Sequence, residues 1–218
     1  MNDVVSFKDR VEAGRMLGEA LAKYADREDV LVLGLPRGGV PVAGEVARRL
    51  HAPLDVMVVR KLGVPGWEEL AMGAIASGGI RVMNQRVLSR LDISRKAIDD
   101  VVAAQMKELR RREIAYRGHP GAPEIKNKIV ILVDDGIATG STIRAAVQAL
   151  RQQDAKKIVI AVPTAAPESC DVLEPDVDEL IALIKPEEFQ SVGQWYEEFA
   201  QTTDDQVTQI LAEAASHG

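Results

Sequence analysis

The sequence predicts an α/β fold: a mostly parallel central sheet with helices on both faces, plus a small C-terminal hood and a flexible loop or hairpin insertion. Two continuously apolar runs, VLVLG (30–34) and IVILV (129–133), have the length and character of strands covered on both sides, and KIVIAV (157–162) reads as another strand. The first two run through glycine-rich loops into stretches with helical spacing, and strands alternating with helices build parallel sheets. At 218 residues, 46% of them hydrophobic, the chain can bury a core of this kind.

Residues 6–24 (SFKDRVEAGRMLGEALAKY) read as a helix capped by Ser6, with Asp9 in its first turn and Val11, Leu17, Leu21 and Tyr24 near one face. Strand 30–34 follows, then the loop LPRGG (35–39). A helix comes next, with Pro41 in its first turn and Val42, Ala43, Val46, Ala47 and Leu50 facing inward. DVMVV (55–59) is the next strand. Residues 60–79 are less regular, with Gly63, Pro65, Gly66 and Trp67 crowded together, and 71–84 read as two strands around Ser77-Gly78-Gly79. From 94 to 116, Ile98, Val101, Val102, Gln105, Met106 and Leu109 trace a helix that GHPGAP (118–123) ends. After strand 129–133, Ile143, Ala146, Val147 and Leu150 mark a helix, and DELIALI (178–184) follows 157–162 as the last strand. Thr203 and Gln206 form a capping box before a helix at 204–215. The expected organisation is a single domain over 1–218, with a core at about 25–165 and a hood at about 166–218.

A formal charge of −6 argues against a chain that coats nucleic acid. The basic run KELRRREIAYR (107–117) pairs Glu108 with Arg112 and Glu113 with Arg117 at i,i+4, which predicts a solvated or subunit-facing helix surface. The lone cysteine, Cys170, precludes an internal disulfide, and His51, His119 and His217 are too scattered for a metal cluster. With no basic-then-apolar leader and no apolar run near the length of a membrane span, the expectation is a soluble, cytoplasmic protein.

Chemistry concentrates at two strand ends. In IVILVDDGIATGST (129–142) an apolar strand ends in Asp134 and Asp135, and Gly136 to Thr142 form a loop entering a helix. Successive amides in such a turn, with the helix's positive end behind them, can hold an anion; Thr139, Ser141 and Thr142 add hydroxyls and Gly140 close approach. The pattern GxxxxGK[ST] is not met, so a phosphate monoester suits the loop better than a triphosphate gripped by lysine. Alone, the loop also fits an ordinary strand-to-helix turn. Paired carboxylates beside it need donors, and the vicinal hydroxyls of a ribose 5-phosphate supply them. The loop Leu35-Pro36-Arg37-Gly38-Gly39 has the same strand–loop–helix setting and adds a guanidinium.

VILVDDGIATGST resembles the motif by which type I phosphoribosyltransferases bind 5-phosphoribosyl 1-pyrophosphate (PRPP): an apolar strand, two acidic residues, then a loop ending in Thr-Gly-x-Thr. The resemblance covers most of residues 30–200 and implies a Rossmann-like core. It implies that Asp134 and Asp135 hold the ribose 2- and 3-hydroxyls, and that Ala138, Thr139, Gly140, Ser141 and Thr142 hold the 5-phosphate. Pro36, Arg37, Gly38 and Gly39 would bind pyrophosphate, with a cis peptide between Pro36 and Arg37, and Arg60 and Lys61 would complete a basic wall. Catalysis would rest on Asp134, Asp135 and Arg37, with Mg²⁺ carried mainly by PRPP and no protein metal ligands. Residues 62–79 lie where family members carry a loop that closes over the substrate, without the Ser-Tyr pair of the purine-salvage members. In the aromatic-rich segment 186–199, Phe189 stands where a hood phenylalanine stacks on the base. Two departures argue against a 6-oxopurine acceptor: Pro163 replaces a base-contacting lysine, and Ala138 replaces an acid proposed to accept a proton. The expected activity is transfer of the phosphoribosyl group to a nitrogenous acceptor by a homo-oligomer, as a dimer. A PRPP-sensing protein without turnover is the alternative.

Overall fold

The computed structural model of the chain describes residues 6–119 and 121–216; the expectations that fall on Pro120 and His217 lie outside them. In chain order the elements are α1 (Arg10–Ala20), β1 (Val30–Gly34), α2 (Gly39–Leu50), β2 (Leu54–Val56), β3 (Val59–Val64), β4 (Trp67–Ala76) and β5 (Ile80–Met83). They continue with α3 (Gln85–Leu88), α4 (Arg95–Arg117), β6 (Ile129–Val133), α5 (Ser141–Arg151), β7 (Lys157–Thr164), α6 (Pro167–Leu173), β8 (Glu179–Ile184) and α7 (Asp204–Ala215).

Five strands form a parallel sheet in the order β2-β1-β6-β7-β8. Because side chains alternate across a strand, β1 and β6 divide their residues between two cores. Leu31, Leu33, Val130 and Leu132 pack with Ile143, Val147 and Leu150 of α5 on one face. Val30, Val32, Ile131 and Val133 pack with Leu17 of α1 and Val42, Val46 and Leu50 of α2 on the other. Both central strands are buried along their whole length, which is why they read as unbroken apolar runs. From β1 the chain crosses through α2 to β2 on one side, and β6 continues through α5 to β7 on the other. The sheet therefore has its topological switch point between β1 and β6, where open α/β sheets form their ligand crevice.

A second, antiparallel sheet of β3, β4 and β5 packs with α4 and α7 around Val58, Leu62, Met72, Ile75, Leu109 and Leu211. Here the structure corrects the sequence reading. The run 55–59 is not one strand: β2 ends at Val56 and β3 begins at Val59 in the other sheet, so Arg60 and Lys61 lie inside β3 rather than at a parallel strand's end. The stretch 60–79 is regular for most of its length. Pro65 and Gly66 make the turn between β3 and β4, with Gly66 at φ 77°, and the register shifts at Gly63, where a Cβ would meet the Glu68 backbone at 2.6 Å. The hairpin at 71–84 turns at Ser77–Gly79 as expected.

Helix α1 starts later than Ser6 suggests. Asp9 is its cap, accepting from the Glu12 amide, and Val11 faces solvent. Ser94 caps α4 and the Thr203/Gln206 capping box opens α7, as read from the sequence. The pair Glu113–Arg117 is not on a solvated face: both side chains are buried, and Arg117 binds Asp55 at 2.5 Å and the Val56 carbonyl. An i,i+4 ion pair looks the same in sequence whether water or a sheet edge faces it. Among the described residues no helix is long and apolar enough to cross a membrane.

Candidate active site

The carboxyl ends of β1 and β6 lie side by side, with Gly34 opposite Val133 and the Leu35 amide donating to the Val133 carbonyl at 2.9 Å. That register brings the two glycine-rich loops into contact. A Cβ on Gly38 would lie 2.1 Å from Asp135 Oδ2, and one on Gly39 would lie 2.8 Å from both Asp134 Cα and the Val133 carbonyl. Gly38 has φ −61°, a conformation open to any residue, so glycine is required there by contact and not by backbone freedom. The peptide bond between Pro36 and Arg37 is cis.

Both helices that start at this crevice lack a side-chain cap. α2 begins after Gly38 and α5 after Gly140, which is left-handed at φ 68°, and neither start receives a side-chain hydrogen bond. By contrast α1, α4 and α7 are capped by Asp9, Ser94 and Thr203. Two uncapped amino ends, both carrying partial positive charge, thus point at one place. Ala138, Thr139, Ser141 and Thr142 are exposed, Thr139 Oγ1 lies 3.3 Å from Ser141 Oγ, and Ser169 of α6 donates to the Ala138 carbonyl from behind. Arg37 is partly exposed, and its guanidinium has no hydrogen-bond or ion-pair partner among the described residues.

The two aspartates have different surroundings. Asp135 receives Arg10 Nε at 2.9 Å and Nη2 at 2.8 Å, both on Oδ2, with the two side chains 11% and 15% exposed. Arg10 Nη1 donates to the Ala200 carbonyl at 2.7 Å, and its guanidinium lies 3.9 Å over the Phe199 ring. Tyr196 Oη donates to the Asp135 backbone carbonyl at 2.6 Å; burial, then the Asp135 charge, holds this phenol protonated above its usual range. Asp134 has no such cation. Its Oδ1 accepts the Asp135 amide at 2.9 Å, and burial first, then the neighbouring Asp135 charge, pushes its carboxyl well above the ordinary range. Among the described residues no basic side chain donates to Asp134 Oδ2 or Asp135 Oδ1. One open oxygen on each carboxylate suits a vicinal diol.

This difference has a consequence for stability. A carboxyl whose folded-state pKa is raised stabilises the fold below its unfolded value of about 3.9 and loses that contribution as pH rises through the folded value. Asp134→Asn, which keeps an oxygen for the Asp135 amide, should therefore raise Tm at pH 7. The gain should vanish below about pH 4, as read by thermal melts across pH.

The remaining expected residues are placed as follows. Arg60 Nε donates to Gln105 Oε1 of α4 at 3.0 Å and Lys61 lies 3.6 Å from Glu69; both line a cleft of about 400 Å³ with Val59, Pro65 and Val101. They form a group of their own, and among the described residues no hydrogen bond or ion pair joins them to the two loops. Phe189 follows β8 and packs against Trp195 with ring centroids 6.4 Å apart. Val192 of the hood also lies at the crevice, where a Cβ on Gly136 would meet it at 2.6 Å. Among the described residues no three His, Cys, Asp or Glu converge as a metal site. Cys170 is buried and its thiol is pushed up by that burial.

Sequence reasoning missed Arg10, Tyr196 and Phe199. A backbone ladder brings them in: the Phe7 amide donates to the Trp195 carbonyl at 2.8 Å, and the Glu197 and Glu198 amides donate to the Phe7 and Lys8 carbonyls. One signal was available for Arg10. A cation in the first turn of a helix opposes the macrodipole, which calls for a nearby anion.

A family model described as a phosphoribosyl transferase domain matches residues 9–193. A protein of Mycobacterium tuberculosis (strain H37Rv) named "Putative phosphoribosyl transferase Rv0571c" is 46% identical over 208 residues, 95% of this chain and 47% of that protein. The chain thus spans about half the length of such curated relatives. The crystal structure of TT1426 from Thermus thermophilus is 43% identical, with a TM-score of 0.84 over 95% of this chain and 98% of that one. The "Bifunctional protein PyrR" of Clostridium acetobutylicum is 25% identical over 145 residues, 66% of this chain and 62% of that protein.

Proposed function

The chain belongs to the phosphoribosyl transferase domain family, and from that premise we propose that it binds Mg-PRPP at the β1/β6 crevice and transfers the 5-phosphoribosyl group to a nitrogenous acceptor. The observation that carries this reading is the pairing of two uncapped helix starts with Asp134 and Asp135 between them. One amino end, with Thr139, Ser141 and Thr142, suits the 5-phosphate. The other, with Arg37, whose guanidinium has no hydrogen-bond or ion-pair partner among the described residues, suits the pyrophosphate. The open oxygens of Asp134 and Asp135 take the ribose hydroxyls between them.

In the reaction the bond from the anomeric carbon to the pyrophosphate oxygen breaks and a bond to the acceptor nitrogen forms. The electron pair leaves with pyrophosphate, and the acceptor's N–H proton passes to solvent or a base. The carboxylates hold the sugar in register and place negative charge beside a centre that turns cationic, while Arg37 and the amides of α2 stabilise the departing anion. Mg²⁺ would ride on PRPP oxygens and water beside these carboxylates, neutralising phosphate charge. A ligand-borne cation of that kind is compatible with a crevice that offers two acidic side chains and no larger donor cluster among the described residues.

Ala138 favours keeping a second reading, a PRPP-sensing protein, because its methyl cannot accept the acceptor's proton. Pyrophosphate release is the test. With Mg-PRPP and a panel of purine, pyrimidine and simple amine acceptors, the transferase releases pyrophosphate with at least one of them, faster than PRPP alone hydrolyses. Firm Mg-PRPP binding with no acceptor-dependent release establishes the sensor instead.

A further inference from the structure

We infer that Arg10, with Tyr196 and Phe199, is a positioning clamp that sets Asp135 for the ribose. This rests on the reading of the crevice as a PRPP site and goes beyond it, since none of the three belongs to either binding loop. Tyr196, Phe199 and Ala200 also lie past residue 193, where the family match ends.

The geometry fixes Asp135 from three sides. Arg10 places Nε and Nη2 on Oδ2, Gly38 packs against the same oxygen with no room for a Cβ, and Tyr196 Oη holds the backbone carbonyl at 2.6 Å. Arg10 is itself held. Its third nitrogen is on the Ala200 carbonyl, its plane lies 3.9 Å over Phe199, and the Tyr196 ring centroid is 5.9 Å away. Every donor of the clamp falls on Oδ2 or the main chain. Oδ1 takes none of these donors, so two-point contact on Oδ2 restrains rotation of the carboxylate about its own axis. A planar fork does this where a point charge cannot, so lysine is not an equivalent.

The clamp also assigns charge between the adjacent acids. Arg10 pairs directly with Asp135 and makes no hydrogen bond to Asp134, so it stands between the charges of two neighbouring acids from the Asp135 side. Without Arg10 the two carboxylates would lack the cation between them and solvent, and Asp135 would be free to turn away from its position against Gly38.

The test uses the full chain and calorimetry with three probes: Mg-PRPP, ribose 5-phosphate and inorganic pyrophosphate with Mg²⁺. Arg10→Gln should weaken Mg-PRPP and ribose 5-phosphate by about tenfold or more, the scale of one lost charge-assisted contact, and leave pyrophosphate unchanged. Arg10→Lys should restore little. Tyr196→Phe, a milder change whose fold a thermal melt checks, should weaken the two sugar ligands several-fold. In the Arg10→Gln/Asp135→Asn double variant the loss should not exceed that of Asp135→Asn alone. Three results overturn the clamp: Arg10→Gln binding like wild type, equal weakening of pyrophosphate and ribose 5-phosphate, or full additivity with Asp135→Asn. Wild-type protein that binds pyrophosphate but neither sugar phosphate removes the PRPP reading itself, and the clamp's role with it.

Discussion

Replacing Asp134 and Asp135 together by asparagine is expected to weaken Mg-PRPP binding by about tenfold or more. Each carboxylate presents one open oxygen, and a hydrogen bond to a charged partner is worth about 1.5–3 kcal/mol, against about 1.4 kcal/mol per factor of ten. Asparagine keeps the shape and the Asp135 amide's acceptor, so the loss reports charge and not collapse. Two opposing effects on the fold accompany it. Removing the Asp134 charge relieves a buried carboxyl, and removing the Asp135 charge leaves Arg10 without its partner in a mostly buried place. A melt at pH 7 measured beside the titration separates these from binding. Unchanged Mg-PRPP affinity in a folded double variant would mean that the aspartates do not hold the ribose.

Gly39→Ala should damage the crevice through its main chain. Its Cβ would lie 2.8 Å from the Val133 carbonyl and from Asp134 Cα, and 3.0 Å from Asp134 Oδ1. The first two are main-chain atoms at the end of a fully buried strand, which cannot swing aside as a flexible side chain can. Overpacking of this kind costs about 1–3 kcal/mol, or roughly 2–12 °C in Tm for a domain of this size. The α2 amino end would move away from the aspartates, so PRPP affinity should fall with it. A thermal melt and one titration check both, and a variant that melts and binds like wild type would show that the two loops are not in contact at that point. Gly66, open to solvent with nothing within 4 Å of an added Cβ, is the control for loss of a glycine without a collision, although its φ of 77° adds a conformational cost of its own.

Much of this site is legible in the sequence because its parts are contiguous. Asp134 through Thr142 and Pro36 through Gly39 each follow an apolar strand and open a helix, so local pattern and local chemistry coincide. Their meeting is a matter of sheet order, and strand alternation with helices implied it. What local pattern could not reveal is Arg10 against Asp135, a contact across 125 positions made through a short ladder between residues 7–8 and 195–198. The break between β2 and β3 was hidden for a different reason. Met57 and Val58 are fully buried where the chain changes sheets, so DVMVV carries no turn residue to mark the switch. Residues 60–79 misled in the opposite direction, since Gly63, Pro65 and Gly66 mark one bulge and one turn within an otherwise regular hairpin. Glu113 and Arg117 show the limit of charge patterning, because Asp55 and the Val56 carbonyl supply a buried setting for them from far along the chain.

The central claim is that the crevice between β1 and β6 is built for a ribose carrying phosphate at one end and pyrophosphate at the other. Calorimetric titration of the wild-type chain with Mg-PRPP, repeated with Mg-ATP, tests it most directly. The account predicts one site per chain and tighter binding of Mg-PRPP than of Mg-ATP, because the loop at 136–142 has no lysine for a triphosphate. No binding of Mg-PRPP, or tighter binding of Mg-ATP, would contradict it.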